Sequence, residues 1–272
     1  MKKKNVPLLT MLNIQQLTNH SFMESLFSQP LLLFAGLSSN DYVGFTFFIG
    51  YMAMFAASVF FFFERQQVEG KWKTSLLIAG LITMIAAVHY YYMRDVWLTT
   101  GQSPTQFRYI DWILTVPLMC VEFYLILKAF GAKIGLLWKM IGYSLVMLVA
   151  GYLGETAFRS SSVVWGIIST AGYLGILYEV WLGSASKLAG NSKDPKLQSA
   201  FKALSWFVLV GWAIYPIGYM AIETDGWLRN VIDVRNMDLI YNIGDAVNKI
   251  GFGLVIYALA VSSSSKSESS AA

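Results

Sequence analysis

Apolar residues along the chain gather into stretches of spanning length, each closed by polar or charged positions: 42–63, 74–92, 105–127, 134–153, 161–182, 200–222 and 237–261. About twenty apolar residues cross the hydrocarbon core of a bilayer as a helix, so the pattern predicts seven membrane-spanning helices. No stretch has the period-two alternation of a membrane-barrel strand. The connections are mostly short, which packs sequential helices antiparallel. The predicted fold class is therefore an all-α membrane protein, a seven-transmembrane-helix bundle over 41–261. Segment 1–40 fits two readings. One is a signal peptide, with Lys2, Lys3 and Lys4 ahead of a weak apolar run at 30–37, and the other is a retained, partly helical leader. The Ser-rich segment 262–272 is expected to be a flexible tail.

Composition agrees with the bilayer as solvent and partner, because 56% apolar and 13% charged side chains in 272 residues is too hydrophobic for a soluble domain of this size. One cysteine and two histidines exclude a disulfide framework, a cysteine-based metal site and a histidine cluster. The net charge of +4 is low for a nucleic-acid binder, and the basic residues fall between helices and not in one patch. They report topology. Arg65, Lys71, Lys73, Lys128, Lys133, Lys187, Lys193, Lys196 and Lys202 follow helices one, three and five, while Arg94, Arg159, Arg229 and Arg235 follow two, four and six. The positive-inside rule then puts the N-terminus outside and the C-terminus inside. Lys2, Lys3 and Lys4 run against that orientation if they stay at the mature N-terminus.

Charged residues inside the spans need a reason. Lys249 lies in the middle of the seventh stretch, where an ammonium costs from ~3 to more than 10 kcal/mol, and intramembrane ionisable groups are by default functional. Asp245 is one helical turn earlier on the same face and can balance its charge. A structural buried ion pair is the plain alternative. On helix three, Asp111, Thr115 and Glu122 fall within about 40° of one another, with the two acids about 16 Å apart along the axis. That separation is too long for a hydrolytic carboxyl dyad, which needs roughly 10 Å or less, and suits two stations on a route across the membrane. Arg108, a turn outward, favours ionised outer carboxylates, whereas the apolar neighbours of Glu122 favour a protonated acid. A lysine in such a pocket forms Schiff bases readily once neutral. Trp112, Trp212, Tyr215, Pro216 and Tyr241 could line a slot for a long, flat, apolar aldehyde, although each alone is ordinary packing or interface material.

These residues carry a resemblance. Arg108-Tyr109-Ile110-Asp111-Trp112-Ile113-Leu114-Thr115-Val116-Pro117, Gly151-Tyr152-Leu153-Gly154-Glu155, Gly211-Trp212-Ala213-Ile214-Tyr215-Pro216 and Leu239 through Lys249 resemble the microbial (type I) rhodopsins, and among them the proton-pumping proteorhodopsins. The resemblance covers all seven helices. It implies all-trans retinal on Lys249, Asp111 as primary counterion and proton acceptor, Asp245 as second counterion, Glu122 as proton donor and Thr115 as the hydroxyl between acceptor and donor. His89 matches a histidine that pairs with the acceptor and modulates its proton affinity. Met119 holds a colour-tuning position at which an apolar side chain implies green absorption. Gly166 falls where some relatives open a window for an antenna carotenoid, and its plain reading is a helix-packing glycine. The resemblance also implies a homo-oligomer, pentamer or hexamer, in the plasma membrane of a bacterium. The function so implied is light-driven outward proton transport and not enzymatic catalysis, with Glu155 and Glu223 as candidates for proton release. A photosensory receptor signalling through a partner and a retinal-free ion transporter are the alternatives.

Overall fold

The structure is a computed structural model that describes residues 41–222 and 237–271, so the leader 1–40, Glu223, Arg229 and Arg235 lie outside the described residues. Apart from Asp41 and Tyr42, the described residues belong to one compact unit. Its helices are α1 (Tyr42–Glu64), α2 (Lys71–Thr100), α3 (Thr105–Lys128), α4 (Ile134–Glu155), α5 (Ser162–Trp181), α6 (Ser184–Gly190), α7 (Pro195–Trp206), α8 (Ile214–Ile222) and α9 (Met237–Ala271). They supply seven stretches long and apolar enough to cross a membrane, α7 and α8 together forming the sixth. Each apolar stretch of the sequence became one of these spans.

Where the boundaries differ from the sequence reading, local chemistry explains it. α2 runs on past Tyr92 because Arg94, assigned above to a connection, is buried with its guanidinium 5.8 Å from the Phe48 ring centre. The helix stops at Gly101, whose φ of 65° supplies a left-handed cap that a side chain would disfavour, and the Gly101 N–H donates to Trp97 O at 2.8 Å. α7 starts at Pro195, five residues before the apolar run, since Pro195 takes a first-turn position and the Asp194 carboxylate accepts from Lys196 N at 3.0 Å. α9 runs on through most of the Ser-rich segment and stays helical to Ala271. No Gly or Pro interrupts 262–271, and the Ser262 and Ser263 hydroxyls donate back to Leu259 O at 3.1 and 2.8 Å, leaving the ladder intact.

α3 is flanked by α2 and α4, α4 packs along α5, and α9 returns against α2 and α7. The polar faces of α3 and α9 are buried: Asp111, Thr115, Glu122 and Asp245 are all fully inaccessible. The large apolar side chains that remain exposed, such as Phe45, Phe55, Ile167, Leu174 and Val247, line the outside of the unit. That inside-out polarity suits a surface solvated by lipid, where every backbone group must be satisfied within its own helix.

Candidate functional site

Helix periodicity determines which side chains meet. On α9, Asp238, Asn242, Asp245 and Lys249 recur at intervals of three and four and so share one face. On α3, Arg108, Asp111 and Thr115 do the same, and Glu122 follows seven residues, two turns, further on. The faces oppose each other, and Lys249 Nζ lies 2.8 Å from Asp111 Oδ2 and 2.5 Å from Asp245 Oδ2. All three side chains are buried, so they form one amine held between two carboxylates. If all three are ionised, the cluster is one negative charge in excess.

Other donors limit where a proton can go. Tyr215 OH donates to Asp245 Oδ1 at 2.8 Å, so both oxygens of Asp245 are engaged. Asp111 Oδ1 is buried with no hydrogen-bond donor among the described residues. Thr115 Oγ1 donates to the Asp111 backbone carbonyl at 2.8 Å, one turn toward Glu122. Glu122 is buried, with the Ser75 hydroxyl of α2 as its polar neighbour, and neither of its oxygens completes a well-formed hydrogen bond. The acids at the two ends of this route thus differ in kind: Asp111 faces a cation and Glu122 does not.

His89 Nδ1 lies 2.8 Å from Ile85 O in its own helix. Arg108 has a direct partner that the sequence reading did not name. Its guanidinium pairs with Asp238 Oδ1 at 2.6 Å and reaches Asn242 Oδ1 at 3.3 and 3.4 Å, with its carbon 4.9 Å from the Tyr241 ring centre. Asp238 was not singled out above, although its position seven residues before Asp245, two helical turns on the same face, is a readable signal. Glu155 accepts from Tyr109 OH at 2.8 Å at the same end of the unit.

The aromatic residues converge as well. Trp112 packs on Tyr215 with ring centres 4.5 Å apart and on Tyr241 at 5.5 Å, and Trp212 is buried. Met119 is buried in the same core. Trp112, Tyr215 and Pro216 also form one end of a cavity of about 360 Å³ that extends to Ser169, Gly166 and Tyr219. That volume lies within the roughly 300–1,000 Å³ of small-molecule pockets. Trp112 follows Asp111 in sequence and Tyr215 is bonded to Asp245, so this apolar cavity adjoins the charged cluster, whereas Lys249, Met119, Trp212 and Tyr241 are not in its wall. A Cβ on Gly166 would stand 2.7 Å from the Tyr219 ring, so the missing side chain is used for packing inside the protein.

Comparison with known proteins agrees with this geometry. The profile of the bacteriorhodopsin-like protein family matches residues 41–263. The chain belongs to that family. It is 47% identical over 233 residues to the green-light absorbing proteorhodopsin of Gamma-proteobacterium EBAC31A08, covering 84% of this chain and 90% of that one. It is 49% identical over 232 residues to the blue-light absorbing proteorhodopsin of Gamma-proteobacterium Hot 75m4, with the same coverage. Among solved structures, the blue light-absorbing proteorhodopsin from Med12 superposes with a TM-score of 0.70 at 44% identity, over 82% of this chain and all of that one. Xanthorhodopsin, described as a light-driven ion pump with dual chromophore, gives a TM-score of 0.73 at 26% identity over 85% of this chain and 98% of that one. This rhodopsin is accordingly a multi-pass membrane protein of a family of retinal-bearing ion transporters, not of enzymes. Its identity to the green- and the blue-absorbing relative is almost equal.

Proposed function

We propose that this rhodopsin is a light-driven outward proton pump. The observation that carries the reading is the asymmetry around Lys249, with Asp111 Oδ2 2.8 Å from Nζ on one side and Glu122 buried without a cation on the other. Retinal joined to Lys249 supplies light absorption and the displacement of charge that starts the cycle. The protein's groups then move the proton: Asp111 takes it from the Lys249 nitrogen, and Glu122, which holds a proton at rest because a lone buried carboxylate is costly, supplies the replacement. Asp245, fixed by Tyr215, stays ionised and keeps a cationic nitrogen favourable. His89 tunes the affinity of Asp111, and Thr115 lies on the path between the two acids. Outward transport follows from the positive-inside orientation, N-terminus outside and C-terminus inside. The burial of Arg94 within α2 takes one basic residue out of the outer connections and strengthens that bias.

Finer features follow from the same reading. Met119, apolar and buried, gives green absorption. A ring of five or six copies in a bacterial inner membrane is the assembly implied by the family. A carotenoid at Gly166 is the second-chromophore reading, favoured by the lipid-facing residues Val163, Ile167 and Leu174 in the cavity wall. Adding a hydroxylated carotenoid and seeing no transfer of excitation to retinal contradicts it.

Flash spectroscopy with a pH-sensitive dye in retinal-loaded vesicles tests the pump. A fast cycle with release and uptake of a proton on opposite sides is the expected result. A slow cycle without net translocation points to the photosensory alternative, and no visible absorption after retinal addition points to the retinal-free transporter.

A further inference from the structure

We infer that Asp238 is a positioning residue that anchors Arg108 away from the Asp111–Asp245–Lys249 cluster and thereby keeps Asp111 able to accept a proton. The inference rests on the proton-pump reading of that cluster and adds a residue to it. Asp238 lies in the first turn of α9 and is buried, with 6% of its surface exposed. Its Oδ1 receives two donors, Arg108 Nη2 at 2.6 Å from α3 and Ser103 Oγ at 2.8 Å from the connection between α2 and α3. Asn242 completes the cradle: its Oδ1 accepts from both terminal nitrogens of Arg108, and its Nδ2 donates to Thr46 Oγ1 of α1 at 3.0 Å. The rings of Tyr241 and Phe47 lie on the guanidinium at 4.9 and 5.7 Å. Three segments of the chain therefore contribute to holding one cation on a fourth, α3.

The consequence is a matter of charge count. With Arg108 paired to Asp238, Asp111 and Asp245 make their direct ion pairs with Lys249, and those three groups retain one excess negative charge. That excess is what makes a carboxylate beside the amine a good proton acceptor. With Arg108 turned inward the cluster would hold two acids and two cations, and Asp111 would lose its reason to accept. The groups that face Arg108 are Asp238, Asn242 and Tyr241 on α9 and Tyr90 on α2, with Asp245 further inward. Only Asp238 and Asp245 among them are acids, so losing Asp238 redirects Arg108 toward Asp245 and Asp111. A cation brought within about 12 Å changes proton affinity by roughly tenfold, taking an effective dielectric of about 20.

The test is the acid titration of the visible band in retinal-loaded protein, in which protonation of Asp111 shifts absorption to the red. Asp238→Asn should move the midpoint to lower pH by roughly one unit, and Asp238→Glu should restore it. Repeating Asp238→Asn in an Arg108→Gln background decides the route, since a residue acting through Arg108 has no effect once Arg108 is gone. An equal shift in that background, or no shift in the single variant, overturns the inference. Formation of pigment reports that each variant folds. A parent protein that titrates normally but moves no proton in light refutes the pump reading alone. A parent that forms no pigment removes both.

Discussion

At the scale of single residues, the account depends on different tasks for Asp111, Glu122 and Asp245, all buried carboxylates. Asp111→Asn removes the acceptor, and the expected outcome is a red-shifted pigment that moves no protons, read by absorption spectroscopy and pH recording on one sample. Glu122→Gln leaves the colour in place. It should slow return of the proton to the Lys249 nitrogen by roughly a hundredfold, in line with the loss of a positioned general acid, measured as the decay of the flash-induced transient. Lys249→Ala abolishes the pigment. It also leaves Asp111 and Asp245 facing each other without their shared cation, a loss that typically costs about 3–5 kcal/mol for a broken buried pair. The three acids were legible in the sequence because helical spacing alone puts Asp111, Thr115 and Glu122 on one face and Asp245 beside Lys249. The partner of Arg108 was not. Asp238 stands at the mouth of α9 among ordinary boundary residues, and its pairing with Arg108 depends on how α3 and α9 are set against each other, which periodicity within one helix does not contain.

At the scale of elements, the sixth span carries a feature that propensity could not reveal. Phe207–Gly211 forms a π-turn between α7 and α8, with the Trp212 N–H reaching back five residues to Phe207 O at 3.1 Å. Such widened turns occur often at functional sites, and this one is held from two sides. Tyr173 OH on α5 donates to Val208 O at 3.1 Å and Leu209 O at 2.8 Å, and Asn248 Nδ2, beside Lys249, donates to Gly211 O at 2.9 Å. A Cβ on Gly211 would collide with the Asn248 amide. Gly211→Ala should therefore displace Asn248 and destabilise the protein by about 1–3 kcal/mol through a buried amide left unpaired, seen as faster thermal bleaching of the pigment. In the sequence Gly211 reads only as part of a motif, since its neighbour across the bundle is distant in the chain. Helix ends were harder to read than helix interiors for a related reason. Arg94 looks like a boundary residue until its burial against Phe48 is known, and the serines after Val261 look like a tail until their hydroxyls are seen bonding back along α9.

At the scale of the whole molecule, seven spans were plain from hydrophobic pattern because lipid imposes length and composition on each helix separately. Orientation rests on charge bias and is open to direct test. Gln102→Cys, in the connection after α2, should react with an impermeant thiol reagent from outside intact cells, and Lys133→Cys, in the connection after α3, only after lysis. Cys120 is buried and should stay silent in both. The reverse pattern of labelling inverts the direction of transport. The central claim is that light drives protons outward through Asp111 and Glu122, and the most direct measurement is the pH of an unbuffered suspension of retinal-loaded cells under illumination. The medium should acidify, and a protonophore or Asp111→Asn should abolish the change. Acidification that persists with protonophore, depends on sodium, or survives Asp111→Asn would contradict it.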